Sequence, residues 1–309
     1  MDGETLNKFL SLGVPGGILT FVFGIFSGGL LISLFSMLFG KIKKIKFYEK
    51  LSIQIFRMSF FSFLVYLILG ILSACYLIKF SEFKFQLEQI KEFFLKNLFV
   101  QIDLTIIAAA IFLFIILFLL KNLFKKSTGL YILILIIINI LWWVGIYGAQ
   151  IFNFYYLKNN TSLLNIKNLL LPKEIFLILI FSSYLFLSVG ISSLYSTFYL
   201  MIRRNKDDFG RDYYKFSIPA CAKWSYGLIF FLLSLIAMNL IYFKDFRQIP
   251  LFIWEVLGGI FVLIIVGLLL NNKLIKSVHP IRLKEIMVLN PFLGLIITIL
   301  FVIQLVAVF

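Results

Sequence analysis

Eight apolar stretches run along the chain, at roughly 14–40, 57–79, 102–121, 129–152, 174–201, 218–243, 249–271 and 289–309, separated by short polar segments. A stretch of about 20 apolar residues, rising 1.5 Å per residue as a helix, crosses a hydrocarbon core of about 30 Å. The short, alternating segments of a membrane β-barrel are not seen. The pattern predicts an all-α polytopic integral membrane protein with about eight transmembrane helices in one bundle, spanning residues 1–309. The connections are too short for a folded soluble domain. Any chemistry must therefore lie inside the bundle, at its surfaces or on a partner.

One connection has a pattern of its own. In SEFKFQLEQIKEFFLKNLFVQ, residues 81–101, the apolar positions Phe83, Leu87, Ile90, Phe94 and Leu98 recur at helical spacing. Glu82, Gln86, Gln89 and Lys96 fall elsewhere. This predicts an amphipathic helix lying at the membrane interface. A faint repeat also shows. A small-residue stretch leads into GKIKKIKFYEKLSIQIFR (40–57), and a second leads into RRNKDDFGRDYYKFSIPACAKW (203–224), each followed by another span. Tandem halves, 1–152 and 153–309, would account for it.

Composition agrees with the pattern: 62% of the residues are hydrophobic, only 14% are charged, and the mean hydropathy is +1.04. A soluble domain could not cover that apolar surface. The net charge of +15 does not point to nucleic acid, because the Lys and Arg residues cluster between the spans. Segments 41–57, 121–128, 202–223 and 272–288 carry 19 of them, against 10 in the N-terminus and the remaining connections. The positive-inside rule places the first set in the cytoplasm and both termini outside. The opening MDGETLNKF has no basic n-region, so the first helix reads as a retained span.

Charged or polar groups within spans are costly and are the first candidates for function. Glu255, in PLFIWEVLGGIF, is a candidate proton acceptor or ion ligand, or a carboxylate paired at the interface. Asn139, near mid-depth in YILILIIINILWW, is a candidate for a solute path or for an interhelical hydrogen bond. Arg57 and Lys223, at span ends, read as snorkelling to the headgroups. A bis-histidine haem is excluded, because the chain has a single histidine, His279, in the segment SVHPIRL. Met58, Met201, Met238 and Met287 are scattered and read as packing. Cys75 and Cys221 are expected at opposite membrane depths, too far apart for a disulfide. No nucleotide-binding, metalloprotease or hydrolase motif occurs in a usable context. Catalytic, cofactor-binding and metal residues are therefore expected to be none.

Small residues mark helix contacts. Gly24 and Gly28 form a GxxxG pair, and the fifth span carries Ser182, Ser183, Ser188, Gly190, Ser192, Ser193 and Ser196. Such faces let helix backbones approach closely.

The residues GIFSGGLLISLF, GKIKKIKFYEK and FRMSFFSFLVYLILG, together with YLFLSVGISSLYSTFYLMIRRNKDDFGRDYYKFSIPACAKW (184–224), resemble subunit I of cytochrome bd-type oxidases and related respiratory subunits. The resemblance covers about a third of the chain. Where that family has a haem-ligand histidine in its first helix, this chain has Phe21, Phe23 and their neighbours. The long quinol-binding loop is also missing, since the connection at 244–248 is a few residues long. No ligand carries over. The resemblance implies a haem-free integral-membrane subunit of a bacterial respiratory or electron-transfer complex, in the inner membrane. Such a subunit would anchor membrane or periplasmic redox partners that hold haem or iron–sulfur groups, and would help line a quinone site. It would have no catalytic activity of its own. A transporter of a small or lipophilic solute is the alternative, on the strength of the repeat, Asn139 and Glu255. A lipid-handling enzyme is a third class, with no catalytic group visible for it.

Overall fold

A computed structural model describes residues 3–77, 98–120, 128–160, 173–207, 209–243 and 249–308. Among them every regular element is a helix: α1 (Gly3–Lys43), α2 (Lys46–Leu77), α3 (Leu98–Leu119), α4 (Thr128–Asn160), α5 (Lys173–Asp207), α6 (Arg211–Ala222), α7 (Gly227–Phe243), α8 (Leu251–Lys276) and α9 (Lys284–Val308). Short 3₁₀ turns at Lys223–Tyr226 and Pro280–Arg282 complete the order. The Lys223–Tyr226 turn joins α6 to α7, so the pair crosses the membrane as one span. The described residues thus hold eight helical segments long and apolar enough to cross a membrane. The chain is a multi-pass, all-α membrane protein.

The helices outrun the apolar stretches. α2 begins at Lys46, so most of the basic segment 41–57 is helix, joined to α1 through Lys44 and Ile45. Lys44 takes a left-handed conformation (φ 55°), and the Ile45 N–H bonds the Gly40 carbonyl at 3.1 Å, which closes the end of α1. Similarly, α5 continues to Asp207 and α6 opens at Arg211. Hydropathy marks where the hydrocarbon ends, not where the helix ends. Lys, Arg, Glu and Gln are good helix formers and carry the turns on into the polar layer.

The chain divides into two compact units. The first joins 1–63 to 167–309, and the second is 64–166. The proposed interfacial helix falls almost wholly outside the described residues, with only 98–101 in view, as the start of α3.

In the first unit α5 is central, packed by α1, α6, α7 and α9. Small residues make those contacts possible. A Cβ added to Gly28 would overlap the Ser188 carbonyl of α5, and one on Gly17 would strike the Ile299 backbone of α9. Gly29 faces the Ser59 hydroxyl of α2. Gly190 lies under Leu228 of α7. Lipid offers no hydrophobic drive for helices to associate, so backbone proximity and dispersion must supply it. Hydrogen bonds add to the α1–α2 contact: the Ser33 hydroxyl donates to the Ser52 carbonyl (2.9 Å) and the Ser52 hydroxyl to the Ser33 carbonyl (2.7 Å). In the second unit α3 packs on α4, with Gly145 against Ile107 and Gly148 against the Asp103 carboxylate. Exposed apolar side chains such as Ile71, Phe112 and Leu133 are what a lipid-facing surface requires.

Not all glycines are of this kind. Nothing lies within 4 Å of a Cβ built on Gly258 of α8. Gly258→Ala should therefore stabilise the protein by about 0.5–1 kcal/mol, the difference in helix propensity, as read by thermal unfolding in detergent.

Candidate functional site

The residues singled out from sequence land in different settings. Gly24, Gly28 and Gly190 all lie in the seam around α5, and a Cβ added to Gly24 would stand 3.4 Å from Ile191. Asn139 belongs to α4 of the second unit. It is buried, and its Nδ2 donates to the Leu135 carbonyl one turn back at 2.8 Å. Glu255 lies on an exposed face of α8, one turn past Pro250, and does not point into the first unit's interior. Both cysteines are free thiols, Cys221 buried and Cys75 exposed. Among the described residues no three His, Cys, Asp or Glu side chains gather as a metal site would require.

Polar groups converge at the end of the first unit where α1, α5 and α8 finish and α2, α6 and α9 begin. Asp207, the last residue of α5, has a side chain only 7% exposed. Arg203, one turn earlier, grips it through Nε (3.1 Å) and Nη2 (2.6 Å). This forked pairing is the strongest hydrogen-bonded geometry an ion pair offers. Gln54 of α2 donates from Nε2 to the same carboxylate at 2.6 Å, and Arg57 Nη1 stands 4.0 Å away. The Tyr213 hydroxyl of α6 donates to Gln54 Oε1 at 2.5 Å. One carboxylate thus joins three helices.

An aromatic layer surrounds the network. Tyr213 meets Phe47 edge-on at 5.8 Å and Phe209 at 5.1 Å, and Tyr48 meets Phe216 at 4.6 Å. Lys50 caps the Phe209 ring at 5.1 Å, a cation–π contact. Sequence reasoning missed this assembly because it treated Arg57, Arg203 and Lys50 as topology signals. The legible trace was the i, i+4 pair Arg203/Asp207, which marks a helix continuing through RRNKD.

A second, uncharged cluster lies within the core of the same unit. Asn290 of α9 donates from Nδ2 to Thr197 Oγ1 of α5 and to Asn271 Oδ1 of α8, both at 3.0 Å. All three side chains are at most 1% exposed. Asn271 Nδ2 and Asn290 Oδ1 are left without a protein partner. A buried donor and a buried acceptor are therefore spare. Asn290→Leu should cost about 1–3 kcal/mol by stranding the Asn271 amide. The double change Asn271→Leu/Asn290→Leu should cost less than the two single changes added together, which thermal unfolding of the four proteins would read.

No family model matches the chain, and no curated protein or solved structure matches it.

Proposed function

We propose that this chain is a haem-free integral-membrane subunit of a bacterial inner-membrane respiratory or electron-transfer complex. It anchors redox partners and does no chemistry alone. Its basic end lies in the cytoplasm, and both termini lie outside. The observation that carries the reading is the close packing of the first unit. α1 and α5 meet backbone to backbone at Gly28, and the Asp207 network ties α2, α5 and α6 at one end. A carrier must rock one set of helices against another. Contacts with no side chain between them, and a charge network that loses its pairing on any shift, suit a fixed scaffold. The electron-transfer part of the reading comes from the sequence pattern shared with bd-type oxidase subunits. The orientation is supported by the meeting of segments 41–57, 203–223 and 272–285 at one end of the unit.

Tagged protein should be purified in a mild detergent, followed by mass spectrometry and a visible spectrum. Near-stoichiometric cytochrome or iron–sulfur proteins are the expected result. A folded, colourless protein that purifies alone would overturn the reading.

The spare donor and acceptor at Asn271 and Asn290 favour a second reading, a transporter of a small or lipophilic solute. The same pair could serve a quinone carbonyl in the first. Solute uptake by the chain alone in liposomes, lost in Asn290→Leu, would put the transporter first.

A further inference from the structure

At the basic end, beside the Asp207 network, five cationic or imidazole side chains face one cavity of about 290 Å³. Arg204 comes from the last turn of α5, Arg211 and Lys215 from α6, and His279 and Arg282 from the turn between α8 and α9. None of the described lining residues is acidic. A second cavity, of about 390 Å³, shares Arg204 and Arg211 and adds Asn205, Gly210 and Tyr214, so the two form one trough.

Local structure explains the convergence. Gly210, at φ 82°, lets the chain reverse directly from α5 into α6, a conformation other side chains rarely adopt. That reversal sets Arg211 on the first turn of α6, which has no side-chain cap, so its free N–H groups add partial positive charge. The α8–α9 turn then packs on α6 and brings Arg211 Nη2 to 3.3 Å from His279 Nδ1. Because the guanidinium can only donate, that ring nitrogen accepts.

So many like charges in one concavity repel one another unless an anion joins them. Among the described residues Asp212 pairs with Lys215, loosely at 3.7 Å, from an exposed position. Arg203, by contrast, is already committed to Asp207. Guanidinium forks match the oxygens of a phosphate. The volume lies at the small end of ligand pockets, about 300–1,000 Å³, enough for a phosphate group and a short substituent.

We propose that this trough is a binding site for a phosphate-bearing anion, held by Arg204, Arg211, Lys215 and Arg282 with His279 beside it. The phosphate belongs either to a small phosphomonoester or to an anionic lipid headgroup. The proposal does not depend on which partners the chain has.

His279 is the only histidine in the chain, so its ring gives one assignable NMR signal that reports on the site. Desolvation, and then the charges of Arg211, Arg282 and Lys215, hold its pKa below the ordinary histidine value. Arg203, Arg204, Lys206 and Asp207 of α5, Asp212 of α6, Lys273 and Lys276 of α8, and Lys284 and Glu285 of α9 are the other described charges at this end of the elements around it. A bound phosphate would favour the imidazolium and raise the pKa by about one unit, a tenfold change in proton affinity.

The experiment is a pH titration of the histidine-labelled full chain in phosphatidylcholine nanodiscs, with chloride or inorganic phosphate at matched ionic strength. It is repeated with chloride in nanodiscs containing phosphatidylglycerol. A rise with inorganic phosphate identifies a soluble phosphate compound as the ligand class, and a rise with phosphatidylglycerol alone identifies a lipid headgroup. Arg211→Gln/Arg282→Gln should lose most of the rise relative to its own chloride baseline. Lys41→Gln/Lys43→Gln, an equal loss of charge on α1, should keep it. No rise with either phosphate source would overturn the proposal, as would an equal rise in Arg211→Gln/Arg282→Gln, which would reduce the effect to general surface charge.

Discussion

Gly28→Ile will cost the fold about 3 kcal/mol or more, at or beyond the usual limit for overpacking. Even a single Cβ at this position would overlap the Ser188 carbonyl, which belongs to backbone and cannot rotate aside. To admit a side chain, α1 and α5 must separate along their crossing. That would loosen the neighbouring Gly24–Ile191 and Gly29–Ser192 contacts at the same time. Dispersion between the closely apposed backbones falls off steeply with such a gap. The yield of monodisperse protein on size exclusion, together with the melting temperature, measures the effect. Gly258→Ala is the control, since it also adds a side chain to a helical glycine but meets open space. If Gly28→Ile melts with the wild type, α1 and α5 do not meet backbone to backbone, and the rigid-scaffold argument fails with them.

Asp207→Ala should have a comparable effect by an electrostatic route. The carboxylate is 7% exposed and accepts from Arg203 and Gln54, with Arg57 close by. Removing it leaves two cations and an amide facing one another. Breaking a buried pair from one side costs about 3–5 kcal/mol, and about 3 is expected here because both arginines keep some access to water. Arg203 and Arg57 side chains are 28% and 24% exposed. Gln54→Leu should cost less, about 1–2 kcal/mol, since the Arg203 fork survives it. Arg203→Ala/Asp207→Ala should recover part of the loss, because one uncompensated charge leaves with its partner. Unfolding in detergent of the wild type and the three variants tests this. Equal losses for Gln54→Leu and Asp207→Ala would mean that the carboxylate is not the centre of the network.

Much of the candidate chemistry lay in plain view as residue types, but not as an arrangement. Glu255 and Asn139 stood out because they interrupt apolar runs. The structure sets Glu255 on an exposed face of α8, and one bond of Asn139 goes to the Leu135 carbonyl of its own helix. Asp207 drew no notice because it sits in a basic stretch that reads as a loop. Its partner Gln54 lies 153 residues away, and Tyr213 lies 159 from Gln54, separations that no local pattern encodes. Likewise Asn271 and Asn290 each fall near the end of an apolar run, where a polar residue is ordinary. Only the packing of α9 on α5, and of α8 on α9, lets the Asn290 amide reach both Thr197 and Asn271.

What the amino-acid order determined alone was everything governed by the exchange between water and hydrocarbon. Apolar runs must leave water and satisfy their backbone internally, so they are helices that span. Small residues recurring every four positions announce close contact, as Gly24 and Gly28 do, because helical geometry places them on one face. The tertiary structure decided how far each helix continues beyond the hydrocarbon. It also decided which side chains from distant segments share a site, and which of the many lysines and arginines surround a cavity. Those outcomes depend on the packing of α1, α5 and α9, where distances of a few ångströms determine whether two charges pair or repel.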